Sequence, residues 1–188
     1  GGESAEAARR PNILFIITDQ QHAGMLSCAG NPYVKTPALD GLAAAGARFE
    51  RAYCANPVCG PSRFSMMTGV LPSRIGMEDN SGMGLKVPPE ILSHTLGRVF
   101  RKAGYETVYG GKVHTPMNVP AMGFEMLSRN ERDGLAGACG EFLRKKHDRP
   151  FLLVASFINP HDICYMAIRD FSEKTGARQK PLNNARVE

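Results

Sequence analysis

The chain has 188 residues, of which 43% are hydrophobic and 22% charged, and its formal net charge at pH 7 is +5. This length and composition suit one folded domain, or part of one, and exclude a compositionally disordered chain. The basic residues are dispersed and form no strip with aromatic residues, so a nucleic-acid-binding protein is not expected. No apolar run reaches the roughly 18 residues of a membrane-spanning helix, so the sequence predicts a soluble chain without a membrane span.

Residues 1–10 are small, polar and unpatterned, and we expect a flexible tail there, followed by the folded part at 11–188. The chain lacks an initiating Met, which favours a mature protein from which any signal peptide has been removed. A periplasmic or secreted location is therefore the expectation. The five cysteines are odd in number and form no dense disulfide framework.

Apolar strands and amphipathic helices alternate along the chain. Residues 12–18 form a continuous β-branched and aromatic run, which is typical of a strand buried on both faces. The other predicted elements are a helix over 36–45, a short strand or extended segment over 49–53, a helix over 93–103, a strand over 105–109, a helix containing Leu135, Cys139 and Phe142, and a strand over 151–158. This order predicts an α/β fold with a mostly parallel sheet sandwiched by helices.

Charged or titratable residues follow three of the predicted strands. Asp19 follows the strand over 12–18, Lys112 and His114 follow the strand over 105–109, and His161 follows the strand over 151–158. Ligands of such sheets bind beyond the carboxyl ends of the strands. The convergence predicts a binding pocket at this edge of the sheet.

The sequence Cys59-Gly60-Pro61-Ser62-Arg63 has the character of an anion-binding helix start. Pro61 suits the first helical position, which would put Cys59 at or just before the N-cap. The amino end of a helix favours negative charge, and a guanidinium one turn inside would match a tetrahedral oxyanion. A structural cysteine buried ahead of the helix is the alternative.

Two other functions of this region are disfavoured by spacing. Cysteine-dependent phosphatases have five residues between Cys and Arg, whereas three separate Cys59 from Arg63. A zinc site at Cys54 and Cys59 lacks a second Cys/His pair at ligand spacing.

The Cys59 motif, followed by Thr68-Gly69, resembles the signature of the type I sulfatases, which depend on formylglycine and belong to the alkaline-phosphatase-like superfamily. Similar segments occur at residues 11–19, 36–40, 111–114 and 159–161. The resemblance covers the amino-terminal part of the family. It implies a sulfuric ester hydrolase acting on a sulfated small molecule or glycan, with a carbohydrate sulfate as the expected substrate.

The resemblance also implies a cofactor and a metal. A maturation enzyme would oxidise Cys59 to formylglycine, whose hydrate ligates the metal and attacks sulfur. Asp19, Gln20 and Cys59 would bind Ca²⁺, with Mg²⁺ as the alternative. Gln20 replaces the second aspartate of most family members, so one negative charge is lost while an oxygen donor remains.

Four further residues receive roles from the resemblance. Arg63 would hold the hydrate and stabilise charge, and His114 would orient or deprotonate it. Lys112 and His161 would bind the sulfate oxygens, and one of them would help to protonate the leaving alcohol. His22 and His94 match no motif position, and we expect them to be surface or packing residues.

Family members are much longer, and their later half carries further metal ligands and a second lysine. This implies that the chain alone has little activity and associates with itself or with a separate carboxy-terminal segment. A phosphonate or phosphate monoester hydrolase of the same fold remains an alternative. A non-catalytic anion-binding module is the other.

Overall fold

The computed structural model describes residues 10–164. The expected tail, apart from Arg10, and the sequence after Cys164 lie outside the described residues. The α-helices are Pro37–Ala45 (α1), Cys59–Thr68 (α2), Pro89–Leu92 (α3), Leu96–Lys102 (α4) and Leu135–Arg144 (α5), and the strands are Ile13–Asp19 (β1), Glu106–Gly111 (β2), Glu125–Ser128 (β3) and Phe151–Pro160 (β4). Short 3₁₀ helices cover Ser27–Ala29, Pro72–Ile75 and Asn80–Gly84.

The described part of the chain forms two compact units. The first contains residues 10–17 and 55–157, and the second contains residues 18–54 and 158–164. β1 and β4 each begin in the first unit and end in the second. No helix in residues 10–164 combines the length and the hydrophobicity needed to cross a membrane.

The strands form one sheet in the order β1-β4-β2-β3. β2 runs parallel to both β4 and β3, and Gly111 at the end of β2 is in register with Ser156 of β4. The β4 residues from Phe151 to Ser156 are all buried. The predicted α/β architecture with a buried parallel sheet is thus confirmed.

Helices cover both faces of this sheet in the first unit, because successive β4 side chains alternate between two cores. Leu152 and Val154 belong to a core shared with Phe64 of α2. Leu153 belongs to the other core, which it shares with Leu135 of α5. The prediction of a sheet sandwiched by helices is therefore confirmed as well.

β1 is an edge strand whose two faces differ, so the prediction that residues 12–18 form a strand buried on both faces was wrong. Ile17 is buried in the first core, whereas Leu14 and Ile16 on the opposite face are 43% and 45% exposed. In the second unit, none of the α1 residues is buried, although Leu39, Leu42 and Ala43 share one predicted apolar face. Apolar surface therefore remains exposed in both units of the described chain.

Three further details differ from the sequence predictions. The helix predicted from residue 93 begins at Leu96, because Thr95 is extended and its hydroxyl lies within hydrogen-bond distance of both the Leu92 and the Met122 carbonyls. The possible strand over 49–53 is wrong, because this segment is irregular and exposed. β3 was missed, because it is short and lacks an alternating pattern, and it forms by pairing with β2.

Candidate active site

Cys59 is the first residue of α2, and Val58 is the N-cap. The expectation that Cys59 precedes the helix and that Pro61 is its first residue was wrong by two positions. Pro61 is tolerated at the third position, because the first amides of a helix have no intrahelical acceptor. The first intrahelical hydrogen bond of α2 runs from the Ser62 N–H to the Val58 carbonyl, at 3.0 Å.

The start of α2 contacts Asn80 at the beginning of a 3₁₀ helix. The Asn80 Nδ2 donates to the Cys59 Sγ at 3.3 Å, and the Gly60 N–H donates to the Asn80 Oδ1 at 3.0 Å. The Gly60 amide is therefore bonded to Asn80, whereas the prediction that the amino end of this helix binds an anion stays a prediction. Cys59 is partly exposed and lies outside both hydrophobic cores.

Arg63 and Lys112 are joined at the carboxyl ends of β2 and β4. The Arg63 Nη1 donates to the Lys112 carbonyl at 2.9 Å and to the Ser156 Oγ at 2.5 Å. The Lys112 carbonyl also accepts from the Ser156 hydroxyl at 2.8 Å and from the Tyr109 hydroxyl at 2.6 Å. Arg63 is only 3% exposed and Lys112 only 8%, so two cationic residues are buried at this edge of the sheet.

Gln20 and His114 are the non-glycine residues with positive φ in the described chain, at 59° and 40°. Side chains other than glycine rarely adopt this region, and the residues that do are concentrated at functional sites. The family resemblance predicts a role for both residues without reference to their backbone conformation. Their backbone conformation is an independent observation in favour of a functional role.

The second unit contains the remaining predicted residues. Asp19 ends β1 and is 6% exposed, whereas Gln20 is exposed. The His161 N–H donates to the Asp19 carbonyl at 3.2 Å, so these two positions are adjacent. The Cys164 Sγ lies 3.9 Å from the His161 Nδ1, and the peptide bond before Pro160 is cis.

The donor chemistry of Asp19 and Gln20 fits a hard divalent cation, since one supplies carboxylate oxygen and the other amide oxygen. In residues 10–164 no group of three or more His, Cys, Asp or Glu side chains is arranged for a metal ion. Of the three proposed ligands, only Asp19 and Cys59 are residues of these types. Whether Asp19, Gln20 and Cys59 bind a metal stays a prediction.

The remaining cysteines and histidines have ordinary surroundings. All five cysteines are free thiols, and burial raises the pKa of Cys139 in the core beside α5. His22 and His94 are exposed and make only local hydrogen bonds, such as that from the Gly24 N–H to the His22 Nδ1. The expectation that these two histidines are surface residues is confirmed.

Three residues of this region were missed from the sequence. Ser156 could have been suspected, since it is a hydroxyl within an apolar strand. Burial raises the pKa of Tyr109, whose hydroxyl lies at the Lys112 carbonyl, but its sequence position suggests only a core aromatic residue. Asn80 follows no strand and belongs to no motif, so its contact with Cys59 required the structure.

Two open cavities, of about 680 and 690 Å³, lie at the other end of β2 and β4 in the first unit. His147 lines both of them, and none of the predicted site residues does. The His147 Nδ1 lies 3.1 Å from the Glu106 Oε2, and its ring packs on Phe142 and Phe151. His147 therefore has a structural role at this end of the sheet, where it packs against α5 and the start of β4.

Comparison with known proteins supports the predicted family. The sulfatase family model matches residues 11–136. The uncharacterised sulfatase YidJ of Escherichia coli is 41% identical over 106 residues, which cover 56% of this chain and 20% of YidJ. The delta 4,5-hexuronate-2-O-sulfatase of Bacteroides thetaiotaomicron is 29% identical over 179 residues, covering 87% and 37%.

The solved structure of BT1596, a 2-O GAG sulfatase, superposes with a TM-score of 0.71 at 25% identity, over 96% of this chain and 41% of that one. The chain thus spans less than half the length of these relatives. The predicted alkaline-phosphatase-like fold and the resemblance to the amino-terminal part of the family are both confirmed. The chain belongs to the sulfatase family.

Proposed function

We propose that this chain carries part of the active site of a sulfuric ester hydrolase that cleaves a sulfate monoester. The observation that carries the proposal is the burial of Arg63 and Lys112 at one edge of the parallel sheet. Cys59 lies on the same helix as Arg63, one turn earlier. Buried cations in this arrangement can stabilise the negative charge that develops as an S–O bond breaks.

We further propose that a maturation enzyme converts Cys59 to formylglycine. Cys59 is partly exposed and lies outside both hydrophobic cores, so its conversion would leave the packing of these cores unchanged. When present, the formylglycine supplies the oxygen nucleophile. Two relatives support a sulfated carbohydrate as substrate, since one is named as a hexuronate-2-O-sulfatase and the other as a 2-O GAG sulfatase.

Asp19, Gln20 and residue 59 are the proposed ligands of a Ca²⁺ ion, with Mg²⁺ as the alternative. A bound cation would supply Lewis-acid stabilisation of negative charge. The buried Asp19 carboxylate and the exposed Gln20 amide, held at positive φ, are the observations that support oxygen ligation. Since Gln20 is neutral, the site has one charge fewer than a pair of aspartates would give.

The proposed roles of the other side chains follow from their charge and proton chemistry. Lys112 and His161 bind the sulfate oxygens, and Arg63 stabilises charge near residue 59. His114 orients the nucleophile or accepts its proton, because an imidazole can take up and release a proton near neutral pH. One of Lys112 and His161 donates a proton to the leaving alcohol.

Matched aryl esters test the proposal. The protein, matured beside a formylglycine-generating enzyme and supplied with Ca²⁺, is mixed in excess with 4-nitrophenyl sulfate or 4-nitrophenyl phosphate. Single-turnover conditions are chosen because the resemblance predicts slow turnover by this chain alone. We expect release of nitrophenol from the sulfate ester, faster than from the phosphate ester.

Variants make the assay specific. Cys59→Ala should abolish release and Lys112→Ala should reduce it at least about tenfold, because a charged hydrogen bond to the substrate is lost. Replacement of the exposed Lys86 by Ala serves as the control for loss of one positive charge and should have no effect. Faster phosphate ester cleavage would favour the alternative of a phosphonate or phosphate monoester hydrolase of the same fold. Sulfate binding without release from either ester would indicate an anion-binding module.

A further inference from the structure

Asn80 lies opposite the first turn of α2. It opens the 3₁₀ helix Asn80–Gly84, whose N-cap is Asp79. The Asp79 Oδ1 accepts from the Ser81 N–H at 2.7 Å and from the Ser81 hydroxyl at 2.6 Å. These bonds fix the backbone on both sides of Asn80.

The contacts of Asn80 determine which way its amide faces. Its Oδ1 accepts from the Gly60 N–H at 3.0 Å, and the Cys59 Sγ lies 3.6 Å from the same oxygen, within reach of a thiol hydrogen bond. Rotating the amide by half a turn would place two donors against each other, since a backbone N–H cannot accept a hydrogen bond. The Nδ2 must therefore face the Cys59 Sγ, 3.3 Å away.

Gly60 allows this close approach. A Cβ at position 60 would lie 2.8 Å from the Asn80 Oδ1 and 2.2 Å from the Met83 Cε. A side chain there would push the 3₁₀ helix away from α2. The glycine between Cys59 and Pro61 therefore has a steric reason, which is the contact with Asn80.

We propose that Asn80 is a positioning residue for the side chain of residue 59: its Nδ2 donates to the heteroatom of that side chain and holds it in one rotamer. This inference rests on the proposed function for its catalytic meaning. In the thiol form the acceptor is sulfur, and after maturation the same donor would be available to the oxygen of formylglycine. Because small misplacements of reacting groups lower rates strongly, a fixed rotamer at residue 59 favours turnover.

NMR spectroscopy of the unmodified chain labelled with ¹³Cβ-cysteine tests this inference. The couplings between the Cys59 α proton and its two β protons report the rotamer, and amide exchange at Gly60 reports the second Asn80 bond. Asn80→Ala removes both bonds. Asn80→Asp keeps the oxygen that accepts from the Gly60 N–H and faces the Cys59 thiol, but it removes the Nδ2 donor, so it isolates the contribution of that donor to positioning.

Asn56→Ala is the matched control. The Asn56 Nδ2 donates to the Glu78 carbonyl at 3.0 Å, and its Oδ1 accepts from the Val58 N–H at 3.0 Å. Asn56 therefore links the same two segments as Asn80 does, with bonds of the same kind. Neither of these two hydrogen bonds involves Cys59.

We expect unequal β-proton couplings in the wild type and in Asn56→Ala, and loss of that inequality in both Asn80 variants. Gly60 exchange should rise about fivefold in Asn80→Ala, as for the loss of one hydrogen bond, and stay unchanged in Asn80→Asp. Wild-type couplings in Asn80→Asp would overturn the proposal, and this variant decides if Asn80→Ala does not fold. The readout needs no formylglycine, so failure of Cys59 maturation would count against the proposed function alone.

Discussion

The carbonyl oxygen of Lys112 accepts hydrogen bonds from the side chains of Arg63, Tyr109 and Ser156. A buried guanidinium needs such acceptors, because its charge has lost contact with water. The same bonds fix the backbone at Lys112, where the proposed sulfate-binding lysine emerges from β2. The Lys112 carbonyl thus supports a buried cation, and its bonds also fix the position of a candidate catalytic residue.

Ser156 and Tyr109 should differ in their contributions to stability. Ser156→Ala removes a bond to the charged Arg63 as well as one to the Lys112 carbonyl, and should lower the free energy of unfolding by about 1.5–3 kcal/mol. Tyr109→Phe removes one neutral bond and should cost about 1 kcal/mol. Urea denaturation measures both values. Equal costs would show that the Arg63 bond to Ser156 adds nothing.

Gly111 should tolerate substitution much less well than Gly69. Both have positive φ, at 88° and 71°, so alanine at either position costs about 1–2 kcal/mol in backbone strain. A Cβ at Gly111 would also lie 2.1 Å from the Ser156 carbonyl oxygen, whereas at Gly69 nothing lies within 4 Å. Gly111→Ala should therefore cost at least about 2 kcal/mol more than Gly69→Ala in thermal or urea unfolding. Similar costs would contradict the close packing of β2 and β4.

At the scale of elements, Asp40 connects α1 to the 3₁₀ helix Ser27–Ala29 within the second unit. Its Oδ2 accepts from the Ser27 hydroxyl at 2.6 Å, and its Oδ1 accepts from the Cys28 N–H at 2.9 Å and the Thr36 hydroxyl at 3.0 Å. The Ser27 hydroxyl above all, with Thr36 and Cys28, holds the pKa of Asp40 below its usual value of 3.8. Asp40 belongs to the family-like segment 36–40. Its hydrogen bonds give this segment a structural role, which is to hold the 3₁₀ helix against α1.

The depressed pKa predicts a loss of this connection in acid. Because the folded pKa lies below the unfolded one, the carboxylate stabilises the folded state above pH 3.8, and this stabilisation is lost as the pH falls through the folded pKa. We expect the protection of the Cys28 amide against exchange, measured by NMR relative to the intrinsic rate at each pH, to fall over that acid range. In Asp40→Asn the exchange should not show this pH-dependent step. A step of equal size in the variant would assign the effect to another group.

The sequence predicted β2, β4 and α5 well, because their hydrophobic patterns reflect packing in the sheet and its cores. The apolar run of β1 suggested burial on both faces, which its position at the edge of the sheet does not give. It placed α4 three residues too early, since the bonds of Thr95 to Met122 are tertiary and leave no local pattern. Within the site, Arg63 and Lys112 were found from their motif and strand-end positions. Asn80 was not, because its contact with Cys59 joins residues 21 positions apart.

At the scale of the whole molecule, the chain spans only part of the length of the sulfatases it matches, and residues 10–164 expose two apolar surfaces. Leu14 and Ile16 are exposed on the edge strand β1, and Leu42 is exposed on α1. Apolar strand edges commonly pack against another segment or another chain. Association with a second copy or with a separate carboxy-terminal segment stays a prediction.

The net charge of +5 is consistent with an anionic substrate but does not identify one. The choice among sugar, aryl and other sulfate esters depends on loops that surround the site. What the fold and family establish is the framework that presents Arg63 and Lys112 at the end of the sheet. The identity of residue 59 in the mature protein decides whether that framework serves catalysis.

The most direct test is the intact mass of the chain after expression beside a formylglycine-generating enzyme. The account predicts a mass about 18 daltons lower than that of the thiol form, located in the peptide that contains Cys59. The loss should persist in Cys54→Ala and disappear in Cys59→Ala. An unchanged mass, obtained with an enzyme that modifies a control substrate in the same cells, would contradict the proposed function.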